Sequence, residues 1–99
     1  MKMIDHIVED LDEELEGAMH YAEKYIENRA KGETTRAAKF KEMASDELRH
    51  ASFVHEMAVA DIASIEKVFS MPVEDAEKWA HAHKHYVDCV GRVKMMLNM

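Results

Sequence analysis

The sequence predicts an all-α chain, a long antiparallel helical hairpin followed by a C-terminal helix, in one domain over residues 1–99. Three observations predict it. Helix-favouring Ala, Glu, Lys, Met and Leu are abundant, while the 99 residues contain only three Gly and one Pro. Apolar residues recur at three- and four-residue steps through long runs. The punctuation is confined to two places, Lys31-Gly32 and Ser70-Met71-Pro72.

The first helix is expected from about residue 3 to Ala30. Its stripe is Ile4, Ile7, Leu11, Ala18, Tyr21, Ala22 and Tyr25, which is an amphipathic pattern. Glu14 falls inside that stripe. At about 100° per residue, Leu11, Ala18, Tyr21 and Tyr25 all point within roughly 60° of it. Glu13 and Glu16 point elsewhere. Gly32 supplies a left-handed position after the last turn, and Lys31 suits the negative end of the helix. Thr34 or Thr35 is the expected cap of the next helix. So short a connection makes the two helices antiparallel neighbours.

The second helix is expected from Thr35 to Phe69, about 50 Å at 1.5 Å per residue. One stripe runs its length: Phe40, Met43, Ala44, Glu47, Ala51, Val54, Ala58, Ile62, Ile65 and Phe69. At Ser70-Met71-Pro72 a Ser can cap, Pro fits a first turn, and Glu74 and Asp75 complement a helix N-terminus. A kinked continuation is the alternative, since no Gly provides a reversal. The third helix then runs from about Val73 to Leu97, with the stripe Ala76, Trp79, His83, Tyr86, Val90, Val93 and Leu97.

Composition bounds the function. The formal charge of -7 argues against nucleic acid or an anionic membrane as partner and suits attraction of cations. No apolar run approaches the roughly 18–20 residues that span a bilayer, and the opening MKMIDHIVED is too charged for a secretory signal. A single cysteine, Cys89, permits no internal disulfide. The expected location is therefore the reducing cytoplasm. A chain this short buries a modest fraction of its surface alone, for which oligomerisation is a common remedy.

The residues with chemistry to offer are Glu14, Glu47 and His50. Glu47 and His50 form a Glu-x-x-His on the apolar face of the second helix, three residues apart and hence on one side. The spacing alone is weak: with 13 Glu and 7 His in 99 residues, chance yields about one such pair. Position carries the argument. A carboxylate in an apolar seam needs a partner or loses its charge, and a bound cation is one such partner. Glu14 with Glu47 and His50 makes a half-site whose carboxylates and imidazole suit iron, manganese or zinc. Two copies about a twofold axis would assemble four Glu and two His, the set of a two-metal carboxylate bundle. Pairing of Glu47 with His50, Arg49 or a lysine in a metal-free core is the alternative.

Other candidates have plainer readings. Glu77, His81 and His85 are spaced by four and either share a surface ion or are exposed polar residues. His83 lies in the apolar stripe as a hydrogen-bonded core or interface histidine. His20 is expected to pair with Glu16 on the surface, and His55 to stand at the edge of the second stripe, with a place behind the ligands as the lesser alternative. The nine Met read as packing, and Cys89 as a small buried residue.

The order Glu-x6-Tyr, then Glu-x-x-His with Ala after the His, resembles the rubrerythrin and bacterioferritin branch of the ferritin-like family. Glu14, Tyr21, Glu47, His50 and Ala51 carry the likeness, over roughly residues 10 to 60. The resemblance implies Glu14, Glu47 and His50 as metal ligands and Tyr21 as a residue beside the metals. It departs from the usual pattern in having no second Glu-x-x-His, no fourth helix and no rubredoxin cysteine pairs. It is most similar to the short encapsulated ferritins, in which half-sites from two chains share metals, although no clear cargo tail follows at KMMLNM. That form implies a ferritin-like four-helix bundle completed by homodimerisation, or a higher even-numbered oligomer, with an encapsulating shell as a further partner.

The leading functional expectation is a di-iron, ferroxidase-like oxidoreductase. It would oxidise Fe(II) with dioxygen or peroxide at a site shared by two subunits, two irons per dimer, bridged by Glu47 and its symmetry mate. Tyr21 would donate to, or quench, the oxidant. A non-catalytic metal-stapled assembly and a metal-free helical assembly protein are the alternatives.

Overall fold

Three helices form where the apolar periodicity places them. In the computed structural model, which describes residues 1–99, α1 is Lys2–Ala30, α2 is Thr34–Glu66 and α3 is Val73–Leu97, with no strand. The α1 boundary is built by Gly32, whose φ of 75° is a left-handed conformation that L side chains rarely adopt. Its N–H donates to the Arg29 carbonyl at 3.0 Å, and the Glu33 N–H donates to the Asn28 carbonyl at 2.9 Å. Together these satisfy two carbonyls that the helix end would otherwise leave open.

The expected threonine cap does not form. Glu33 occupies the N-cap position without a side-chain cap bond, and Thr34 and Thr35 are already helical. The tight turn through Gly32 leaves a single residue, Glu33, before α2 begins; the Glu33 carbonyl accepts the Ala37 N–H at 2.9 Å. At its other end α2 stops at Glu66, three residues short of the expected Phe69. There the N–H groups of Val68 and Phe69 both donate to the Ile65 carbonyl, at 2.9 and 3.1 Å, tightening the last turn. Pro72 lies ahead in an extended conformation, φ -54° and ψ 144°, and disfavours helix in the residue before it. The chain reverses there without a glycine, so the kinked continuation is not what forms.

Cross-helix contacts give the directions. Along α1 and α2 the partners run in opposite senses, Glu14 meeting His50 and Gly17 meeting Glu47. Along α1 and α3 they run in the same sense. Asp5 meets Lys78 at a separation of 73 residues, and Leu15 meets Cys89 and Tyr25 meets Met99 at a separation of 74. The result is an up-down-up rod of 55 × 19 × 17 Å.

Small residues bring the helices close. Ala37, Ala44, Ala51 and Ala58 recur every seventh residue on α2 and are buried, the first three in one core with Leu11, Leu15, Ala18 and Ala22 of α1. On α3 the buried line is Asp75, Ala82, Cys89, Val93 and Leu97; Val93 and Leu97 are buried as expected, and toward the start of the helix the line is displaced from the expected stripe. Trp79, Tyr86 and Val90 flank it half-buried, while Ala76 and His83 are exposed. Asp75 Oδ1 lies 2.6 Å from the Met1 nitrogen, and small Ala82 and Cys89 lie on the same line against α1. The bulkier aromatic rings are left to the side facing α2. No helix is long and apolar enough to cross a membrane.

Candidate metal centre

Antiparallel pairing of α1 and α2 brings Glu14, Glu47 and His50 together. One ligand atom from each lies within 4.8 Å of the others. His50 Nδ1 is 3.5 Å from Glu14 Oε2 and 3.9 Å from Glu47 Oε1. The carboxylate side chains are 29% and 26% exposed and the imidazole 47%, so the cluster lies at the edge of the core with its imidazole toward the outside.

Electrostatics within the trio are those of two acids forced together. Glu47 holds its proton more tightly than an ordinary glutamate. A hydrogen bond shared with Glu14 is the main cause, followed by burial and by the Glu14 charge; His50 acts in the opposite direction. A cation between the two carboxylates would relieve the same repulsion that helps raise the Glu47 pKa.

Sequence reasoning missed Gly17, one helical turn beyond Glu14. A Cβ there would stand 3.0 Å from Glu47 Oε2 and 3.3 Å from its Cδ. The glycine makes room for the Glu47 carboxylate to lie across α1. A signal existed: an isolated Gly inside a helical pattern costs about 0.5–1 kcal/mol relative to Ala and calls for a packing or functional reason. The donor set fits a hard or borderline divalent cation, with two carboxylates, one imidazole and space cleared for one carboxylate by the missing Cβ.

The remaining residues are distributed as follows. Tyr21 is half-buried on the Glu14 side of α1, its ring 6.3 Å from that of Phe40 at 24°. His55 is turned away from the trio and meets α3: its Nε2 is 2.8 Å from His83 Nδ1, and its ring stacks on Tyr86 at 4.1 Å and 9°. His83 is therefore hydrogen-bonded as expected but exposed rather than in the core. His20 is exposed with its ring edge on Tyr21, not paired with Glu16. Glu77, His81 and His85 are exposed on α3. Cys89 is buried with its thiol against the Leu15 carbonyl, and burial raises its pKa.

One side of the hairpin is open. At about 100° per residue, Met43, His50, Val54 and Met57 share a side of α2 turned away from His55 and hence from α3. Met43 is 39% and Met57 59% exposed. The trio is set in this partly apolar, uncovered side.

No family model matches the chain, and neither a curated protein nor a solved structure matches it.

Proposed function

We propose that this chain is a ferritin-like di-iron protein that oxidises Fe(II) with dioxygen or peroxide, its two-metal centre shared between two subunits of a homodimer or larger even-numbered oligomer. The observation that carries this reading is the convergence of Glu14, Glu47 and His50 within 4.8 Å. Bound iron would supply the electrons that reduce the oxidant. The protein's part is to hold the ions: Glu14 and Glu47 as hard anionic ligands that favour the ferric product, His50 as the neutral donor. A second copy seated on the open side of α1 and α2 would bring the same three residues, doubling the set to four carboxylates and two imidazoles. Manganese or zinc would occupy the same ligands. The expected setting is the cytoplasm, with an encapsulating shell as a further partner.

Elemental analysis of the purified protein alongside its native mass tests the proposal. One iron per chain in an even-numbered oligomer, with ferrous oxidation above the buffer rate that Glu14→Ala and His50→Ala abolish, supports it. A metal-free monomer ends it.

A second reading draws on the raised pKa of Glu47, since uptake of a proton would relieve the repulsion between the two acids in place of an ion. In that reading the helices only assemble, and Glu14→Ala leaves assembly and thermal stability unchanged or improved. Retention of metal without oxidation would instead identify a metal-stapled assembly.

A further inference from the structure

A second set of ligand-type side chains faces the groove between α1 and α3, remote from the open side of the hairpin. Asp12 and Glu16 of α1 and His81 and His85 of α3 line one cavity of about 330 Å³. Each pair is spaced by four residues, one helical turn, so both members lie on one side of their helix. The register of the two helices overlaps the pairs with a stagger of one turn, Glu16 lying beyond His85 and His81 before Asp12. With Asp5 beside Lys78 and Leu15 beside Cys89, Asp12 falls level with His85. His85 and Glu16 also line the adjoining cavity, of about 380 Å³, so both reach into the groove from opposite walls.

The chemistry of this set is specific. Two imidazoles one turn apart on a helix are a metal-chelating spacing, and imidazole with carboxylate suits zinc, copper or nickel better than a hard cation such as magnesium. The lysine that lines the same cavity, Lys78, has its charge engaged by Asp5. Asp12 is half-buried and the other three are exposed, so their side chains can rotate onto an ion without disturbing the core. We propose that Asp12, Glu16, His81 and His85 bind a borderline divalent cation of the zinc type, tying α3 to α1. This site is independent of the Glu14–Glu47–His50 centre and of the function proposed for it.

The test uses the full chain carrying Glu14→Gln and Glu47→Gln, which disables the other centre. Circular dichroism confirms that each variant is helical, and zinc chloride is titrated calorimetrically. The expected result is saturable binding of a single zinc ion per chain, weakened by about tenfold or more by His85→Gln. Weakening by Asp12→Asn combined with Glu16→Gln is also expected. Absence of saturable binding in the doubly substituted chain overturns the proposal. So does binding that needs His81 and His85 but is indifferent to Asp12 and Glu16, since the ion would then sit on α3 alone.

Discussion

Gly17 links local helix physics to the chemistry of the centre. Gly17→Ala removes a backbone-entropy cost of about 0.5–1 kcal/mol, but its Cβ meets Glu47 Oε2 at 3.0 Å. That oxygen ends a flexible side chain, so the carboxylate moves and the backbone does not. The variant is expected to melt no lower than the parent while binding metal about tenfold or more weakly; paired thermal melts and metal titrations check both halves. A melting temperature that falls would show that the glycine serves packing instead. Glu47 itself gives a pH signature. Its folded pKa lies above the ordinary value of 4.5, so its contribution to stability is greatest below that value and is lost as pH rises through the folded pKa. Metal-free protein with Glu47→Gln should therefore be more stable than the parent at pH 7. The difference should vanish below pH 4.5, as read from urea midpoints in the presence of a chelator. That Glu14, Glu47 and His50 would converge was legible in the sequence, because helical periodicity says which side of each helix they share. Gly17 was not, because its role depends on a residue thirty positions away.

Between elements, the alanine line of α2 sets how closely the ligands approach. Ala51 is fully buried, with no exposed surface, and follows His50 directly. Ala51→Leu forces extra methylenes into the α1–α2 contact and is expected to cost about 1–3 kcal/mol, separating Glu14 from Glu47 and weakening metal binding with it. Ala60→Leu, on the exposed side of the same helix, is the control and should be near neutral. Denaturant unfolding of the two variants decides. The α2–α3 contact behaves differently, because its polar tie is the His55–His83 hydrogen bond. That bond needs at least one neutral ring, since two imidazolium ions are both donors. The His55 pKa is lowered from 6.5, first by burial and then by His83; Glu56 opposes, and α1 contributes no charge to it. A lowered base pKa stabilises the fold above 6.5 and loses that stability as pH falls through the folded value. Acidification from pH 7 to about 5 should thus cost the parent on the order of 1 kcal/mol, the net worth of one hydrogen bond, and cost His83→Gln less. The only tryptophan, Trp79, lies 5.6 Å from the His55 ring and reports the loosening by fluorescence. Helix extents were readable to within a few residues. The α3 line was read correctly at Val93 and Leu97 but misread toward its start, where the buried Asp75 and Ala82 are charged or small and the larger Trp79 and Tyr86 suggested a stripe one position away.

For the whole molecule, the question is what the open side of the hairpin is for. Only 17 of 99 residues are buried, in a chain that is 47% hydrophobic, and Met43 and Met57 stand exposed beside His50. A bundle needs apolar side chains there only if another helical layer covers them. Sequence alone could propose that second layer from the half-set of ligands, but a face becomes visible as uncovered only once α3 is known to lie on the other side. Charge sharpens the prediction. Each copy carries -7, and two copies meeting at this face would bring four carboxylates together, so association without cations should be weakened at low salt, where repulsion is least screened. Cations bound between the copies relieve that repulsion, so metal and dimer should be thermodynamically linked. The expected outcome is that light scattering at low salt shows the dimer fraction rising on addition of ferrous iron and falling with chelator. Met57→Lys, which leaves all three ligands in place, should abolish the dimer and most of the metal affinity while helicity is retained. If that variant still dimerises with iron, the copies meet elsewhere and the trio is not completed across this face; if it becomes a monomer that binds iron as tightly as the parent, a single chain holds the ion without help from a second.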